Sequence, residues 1–418
     1  MATLHSQTLE ETGNRTMTTM PRRRVLQQLL SAAALAPIST LSFGAAAAPT
    51  QSRRLVLVIL RGGLDGLGAV PAPGDPSFAD ARGPLANFLS PPLPLGIAGG
   101  PFALHPSLSE LHAMYVQGEA LVVHATGLPY RDRSHFDAQQ VLESGGVQPY
   151  QLSTGWLARA LAPAHQRGIA LNTTVPLVLR GSGEVDTWAP SALPDPSADL
   201  ISRIERLYAQ DADLARALAR ARGLRQDASM AGAMGAAAPG GARSAAIELA
   251  RKAGEFIAQP NGPQVAVLEM NGWDTHANQA APQGALANSL RTLDAALAAL
   301  KQALSAPQAQ GAWSRTVVAV VTEFGREVAV NGTLGTDHGS GGAAFVLGGA
   351  VRGGRVIADW PGLAKPDRHE GRDLRITTDL RAVMRGLLHD HLHVASSALD
   401  NDVFPGSAGL NMPDLVRS

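Results

Sequence analysis

The 418 residues contain no cysteine. Disulfides, thiolate metal sites and a cysteine nucleophile are therefore excluded. There is no surplus of charge of either sign: Lys+Arg and Asp+Glu both total 35, so the formal net charge is zero. That balance argues against a general nucleic-acid binder. Beyond the N-terminal region, no run is long and apolar enough to span a bilayer.

What is present suits a large folded chain. Hydrophobic residues make up 45% of the sequence, enough for a substantial core. Its 44 glycines and 28 prolines fall between recurring apolar runs, so they mark turns and loops. The length allows one large domain or two ordinary ones.

The N-terminus has the layout of an export signal. Arg22, Arg23 and Arg24 precede an apolar stretch and an alanine-rich end near Ala47. Arg22-Arg23-x-Val25-Leu26 resembles the twin-arginine motif. Residues 1–47 are thus expected to be a signal peptide read by the twin-arginine translocase, giving a periplasmic or secreted protein. That route carries folded proteins, which suits a chain whose stability does not wait on oxidation.

Short, nearly continuous apolar runs at 53–63, 119–127, 174–183, 263–272, 314–325 and 343–349 read as strands buried on both faces. Helical periodicity lies between them, at 105–118, 287–305 and 379–392. Strands alternating with helices imply an α/β domain with a mostly parallel sheet. Residues 190–260 are Ala/Arg-rich and break the series, so a helical insertion or cap is expected there.

In such a sheet, ligands bind beyond the carboxyl ends of the strands. The polar residues at those places are Arg61 and Asp65, then His124, Arg131, Arg133, Ser134 and His135, then Asn271, Asp274 and His276, then Glu323 and Arg326 leading into Asp337 and His338. Carboxylate and imidazole suit Zn²⁺ or Mn²⁺, or Ca²⁺ with more oxygens. Glycines around 337–342 would let the backbone approach a metal or anion closely. An Asp-His pair is equally compatible with a turn in which Asp caps a helix. Ser134 opens a helical stretch and reads either as its N-cap or as a nucleophile at the helix's positive end. Arg61, Arg133 and Arg326 could clamp a phosphate or sulfate, or pair with carboxylates at a loop base.

"RGGLDGLGAVPAPGD", "HPSL", "RSHFDAQ", "NGWDTHANQ", "EFGRE", "GTDHGSGGAAFVLGG" and "ITTDLRAV" occur in that order. Together they resemble a bacterial family called domain of unknown function 1501, which is grouped with the sulfatase and alkaline phosphatase superfamily. The resemblance covers roughly residues 53–410. It implies a single alkaline phosphatase-like domain, a three-layer sandwich around a mostly parallel sheet. It also implies one or two divalent ions. Asp65, Asp337 and His338 would hold one, and Asp274 and His276 a second. Ser134 would be the nucleophile, with Arg133 and Arg326 on the substrate oxygens. The substrate class implied is an anionic phosphate or sulfate ester. His369 is the nearest candidate for a last ligand, and the formylglycine sulfatase signature is absent. The other class of reading is a catalytically inactive envelope binding or assembly protein that keeps the fold.

Overall fold

The computed structural model describes residues 52–190, 196–230, 241–279 and 284–417, without the side chains of 226–230. The expected signal peptide lies outside the described residues. Nine strands form the main sheet. In chain order they are β1 (Arg54–Arg61), β2 (Ala120–Gly127), β3 (Arg167–Ala170), β4 (Glu184–Thr187), β5 (Val265–Asn271), β6 (Thr316–Thr322), β7 (Gly342–Leu347), β8 (Val356–Ile357) and β9 (Thr378–Asp379). Their spatial order is β8-β2-β7-β6-β1-β5-β3-β4, and β9 pairs with β2. Every pairing is parallel except those of β7, which runs antiparallel to both β2 and β6. The fold is therefore the mixed α/β class with a mostly parallel sheet that the alternation of runs predicts.

The central strands are apolar on both faces because both faces are covered. Along β1, Val56, Val58 and Leu60 enter one core cluster, while Leu55, Leu57 and Ile59 enter the other. The first face is covered by α1 (Ser109–Val116) and by a pair of long helices, α5 (Gly241–Ala258) and α6 (Ala285–Ser305). In α6, Leu286, Leu290, Leu293, Leu297, Leu300 and Leu304 are buried, the stripe that spacings of three and four produce. The second face receives Val383, Met384 and Leu387 of the 380–391 helical segment.

Two details differ from expectation. The run at 174–183 is not a strand. Pro176 precedes a short 3₁₀ turn, Leu177–Leu179, that buries Val178 and Leu179, and the strands lie on either side of it as β3 and β4. Within 190–260, α3 (Ala198–Tyr208) buries no residue, but α5 packs Ala253, Phe256 and Ile257 into the core.

The antiparallel β7 matters for the site. It runs antiparallel to β2 and β6, so its start, which Asp337 and His338 precede, lies beside the carboxyl ends of both. Residues before one strand and after two others thus share one edge.

Candidate metal centre

α2 (His135–Ser144) begins after the β2 loop and carries His135 at its first turn. β5 runs out into Asp274 and His276, and β6 into Glu323 and Arg326. The 331–342 loop folds back on these segments. Glu327 N donates to the Asp337 carbonyl at 2.8 Å, and Thr336 N donates to the Thr275 carbonyl at 3.1 Å. Glycine makes that approach possible. A Cβ at Gly335 would stand 2.2 Å from the His276 carbonyl carbon, and one at Gly339 2.4 Å from that of Arg326.

Three imidazoles converge here. His338 Nε2 lies 3.0 Å from His135 Nε2 and 3.0 Å from His276 Nε2. Asp274 Oδ1 is 3.1 Å from His338 Nε2 and 3.0 Å from His276 Nε2, and its Oδ2 is 3.5 Å from His135 Nε2. His135, Asp274 and His338 can each place one donor atom within 4.8 Å of the other two.

The remaining ring nitrogens decide the tautomers. His135 Nδ1 donates to Glu323 Oε1 at 2.9 Å, His276 Nδ1 to Asp337 Oδ1 at 3.0 Å, and His338 Nδ1 to the Arg133 carbonyl at 3.0 Å. Each partner is an acceptor only, so each Nδ1 carries its proton. The three Nε2 lone pairs then face one another and Asp274, an arrangement that repels unless a cation sits among them. A proton on His135 is one such cation. The bond to Glu323 raises the pKa of His135, despite burial. Burial lowers that of His338, with His135 and Arg326 adding to the effect.

A divalent ion is the other such cation. Tetrahedral Zn–N bonds of about 2.0 Å put ligand atoms about 3.3 Å apart, close to the separations here. Imidazoles whose far nitrogens are tied to carboxylate or carbonyl are also the usual outer arrangement of a metal site. The donor set therefore fits a borderline dication such as Zn²⁺ or Mn²⁺.

The supporting groups are well held. The Glu323 side chain is fully buried and accepts from Gly62 N at 2.8 Å and Gln139 Nε2 at 3.0 Å. Burial opposes its charge, but the bonds from His135 and Gln139 prevail and keep its carboxyl below the ordinary value. Burial likewise opposes ionisation of Asp274, and the Arg326 guanidinium, 2.6 Å away, overrides it. Asn331, then His276, lower the pKa of Asp337. Arg133 holds a left-handed φ of 58°, uncommon for a side chain of its size, while its carbonyl serves His338.

Several expected roles are not what the structure shows. Asp65 is 1% exposed and ion-paired to Arg82; it accepts from Gln279 and caps the turn at Gly66–Ala69 through Gly68 N. It offers no oxygen to the histidines. Asp337 and His338 do not turn to one ion together: Asp337 orients His276, and His338 alone points its free nitrogen inward. The Arg133 guanidinium pairs with Asp373 and Glu370, each at 2.8 Å. Arg326 is buried behind Asp274, bound also to Thr336 and the Gly62 carbonyl. Neither arginine is free to clamp a substrate. His369 bridges to Asp373 through the backbone, and its ring lies near Glu370. Ser134 is the N-cap of α2, yet its hydroxyl makes no capping bond.

Sequence reasoning missed His135 as a ligand and Glu323 as its orienting base. Both stood in the motifs quoted for the family. The only local signal was an imidazole at a helix start after a buried strand.

Fold and site thus define an α/β protein with a histidine-rich cluster, a candidate metal centre, at the strand ends. Residues 104–401 match the family described as "Protein of unknown function (DUF1501)", and the chain belongs to that family. A search of curated proteins returns no match. Solved structures with partial similarity include a 2-O GAG sulfatase at 11% identity, covering 86% of this chain and 72% of that one, with a TM-score of 0.41. A phosphonate monoester hydrolase of Agrobacterium radiobacter has 12% identity, 82% and 74% coverage, and a TM-score of 0.39. A protein in the alkaline phosphatase superfamily from Vibrio parahaemolyticus has 10% identity, 74% and 63% coverage, and a TM-score of 0.35. The chain spans 66% of the length of the i-CgsB structure it matches. What the site can do follows from this chain's own side chains.

Proposed function

We propose that this protein is an exported, metal-dependent hydrolase of phosphate or sulfate esters. The observation that carries this reading is the convergence of three Nε2 lone pairs on Asp274, with every Nδ1 proton already committed elsewhere. His135, His338 and Asp274 would hold the ion, with His276 beside them. A divalent ion held there supplies Lewis acidity to an ester oxygen and a low pKa for water. The chain's residues do the rest. Glu323 and Asp337 fix two of the rings, and Arg326 keeps Asp274 ionised. Ser134 is the candidate nucleophile, because its hydroxyl is not spent on the cap and it adjoins His135 at the N-terminus of a ten-residue helix.

A second reading has its own support. Arg133 and Arg326 are both engaged by carboxylates, so the expected clamp for a substrate's oxygens is missing. A catalytically inactive envelope binding or assembly protein that keeps the fold fits that fact.

The first experiment is metal analysis by plasma mass spectrometry of the purified protein and of the double variant His135→Ala/His338→Ala, followed by a screen with aryl phosphates and sulfates. Bound dication in the wild type alone, with turnover that Ser134→Ala abolishes, supports the hydrolase. Bound dication without turnover of any ester moves the case to the second reading. A wild type that stays metal-free after incubation with Zn²⁺, Mn²⁺ and Ca²⁺ defeats the hydrolase and moves the case to the second reading. Export is tested separately, by fractionating cells that express the chain with Arg22 and Arg23 replaced by lysine.

A further inference from the structure

A second concavity lies away from the histidine cluster. It has a volume of about 660 Å³ and is bounded by the start of α1, by α6, by the 85–90 segment and by Arg243 of α5. That volume is within the range of small-molecule sites. Gln279 and Arg82 belong to its wall, and Gln279 also bonds Thr275 and Thr336, so a layer of side chains separates it from the metal centre.

Its wall carries Arg82, Arg243 and Arg291 beside Glu110 and Asp294. Arg243 and Arg291 both line it, and neither has a carboxylate partner among the described residues. Asp294 also lines it, but its oxygens are spent on the start of α1, accepting from Glu110 N at 3.0 Å and Leu111 N at 2.9 Å. Arg82 is 1% exposed, and its Nε–H has no hydrogen-bond partner. His105 Nδ1 accepts from Ser107 N at 3.0 Å, which leaves Nε2 as a donor. Burial and Arg291 lower the His105 pKa to about 4, so it is a neutral donor at pH 7. Apolar surface adjoins these donors: Phe88 packs edge-on against His105, and Leu286 and the 76% exposed Leu89 stand beside it. Arginines without a carboxylate partner, Arg291 donating to Ser107 and Asn288, next to apolar wall complement a molecule with an acid group on a hydrophobic body.

We propose that this cleft binds an amphiphilic anion, its carboxylate or phosphate held by Arg291, Arg243 and His105 and its apolar body against Phe88 and Leu286. The site is independent of the metal centre. Isothermal titration calorimetry with decanoate, decyl phosphate and 1-decanol, each below its critical micelle concentration, tests it. At least one anion binds one-to-one, and the better of the two tells carboxylate from phosphate. Loss of charge-assisted bonds in Arg243→Gln/Arg291→Gln weakens it by about tenfold or more, and the neutral alcohol binds weaker by a similar factor. Arg291→Lys in the Arg243 wild-type background keeps the charge and recovers part of the affinity, and Phe88→Ala weakens all three ligands. His338→Ala retains this one-to-one anion site, whereas any separate binding of decyl phosphate at the histidine cluster is lost with that ring, which tells the two apart. Equal binding of alcohol and anions, no binding of either anion, or no anion site remaining in His338→Ala overturns the proposal.

Discussion

At the residue scale, the decisive atoms are ring nitrogens that do not touch the cluster's centre. Glu323 accepts a hydrogen bond from His135 Nδ1 and so aims Nε2 inward. Glu323→Gln keeps the shape but offers an amide that can present either end to the ring. Loss of such an outer partner typically costs about 10–100-fold in metal affinity. Titration against a chromogenic chelator should show that loss with little change in melting temperature. Unchanged affinity would mean Glu323 does not orient the ligand. Asp65 makes the opposite prediction. Its partner Arg82 is equally buried, so Asp65→Asn leaves an uncompensated guanidinium in the interior. Stability should fall by about 3–5 kcal/mol in urea unfolding. The folded fraction should still bind metal with wild-type affinity; weakened binding would return Asp65 to the ligand set.

At the scale of elements, the site depends on a loop that folds back before an antiparallel strand. β7 reverses direction next to β6, so the residues preceding it meet those following β1, β5 and β6. Gly339 sits where that loop crosses the 325–327 segment, donating to the Gly325 carbonyl at 2.9 Å. Gly339→Ala puts a methyl group 2.4 Å from backbone that cannot swing away. The loop must shift, and His338 with it. Metal retention should drop sharply and the protein should lose more than about 1 kcal/mol. A variant that binds metal normally would show that the crossing is looser than drawn. In the helical layer, Leu293 of α6 is fully buried. Leu293→Ala should cost about 2–5 kcal/mol and leave the metal centre intact.

At the scale of the whole molecule, stability depends on pH through buried imidazoles remote from the metal centre. Burial lowers the pKa of His124 and of His391 to about 4. His124 Nε2 donates to the Val70 carbonyl, and its Nδ1 accepts from Ala125 N; His391 Nε2 donates to the Arg54 carbonyl. Both are neutral in the fold. Between the unfolded value near 6.5 and about 4, the unfolded chain binds more protons than the native one. Stability therefore rises with pH across that window and is lost as pH falls through it, by up to roughly 3 kcal/mol for each group. The urea midpoint should decline from pH 7 to pH 4, and His391→Gln should flatten that slope. A midpoint flat over this range would show that neither ring is held neutral.

The sequence by itself determined the class of fold and the neighbourhood of the site. Runs such as 55–60 and 317–321 are apolar at every position because both faces of the sheet are covered, and such runs are legible without a structure. Placing acids and imidazoles at the ends of those runs found His135, Asp274, His276, Glu323, Asp337 and His338 at one edge, without assigning His135 a role. Only the tertiary structure decided what each does. Asp65 and Asp337 are both aspartates beside glycines at strand ends, yet one caps a turn against a buried arginine and the other orients an imidazole. His135 entered the cluster through the packing of a helix start against β6, which no spacing along the chain records. The run at 174–183 looked like a strand because buried turns and buried strands draw on the same side chains. A side chain's identity fixes which bonds it can make; its neighbours, set by long-range packing, fix which of them it does make.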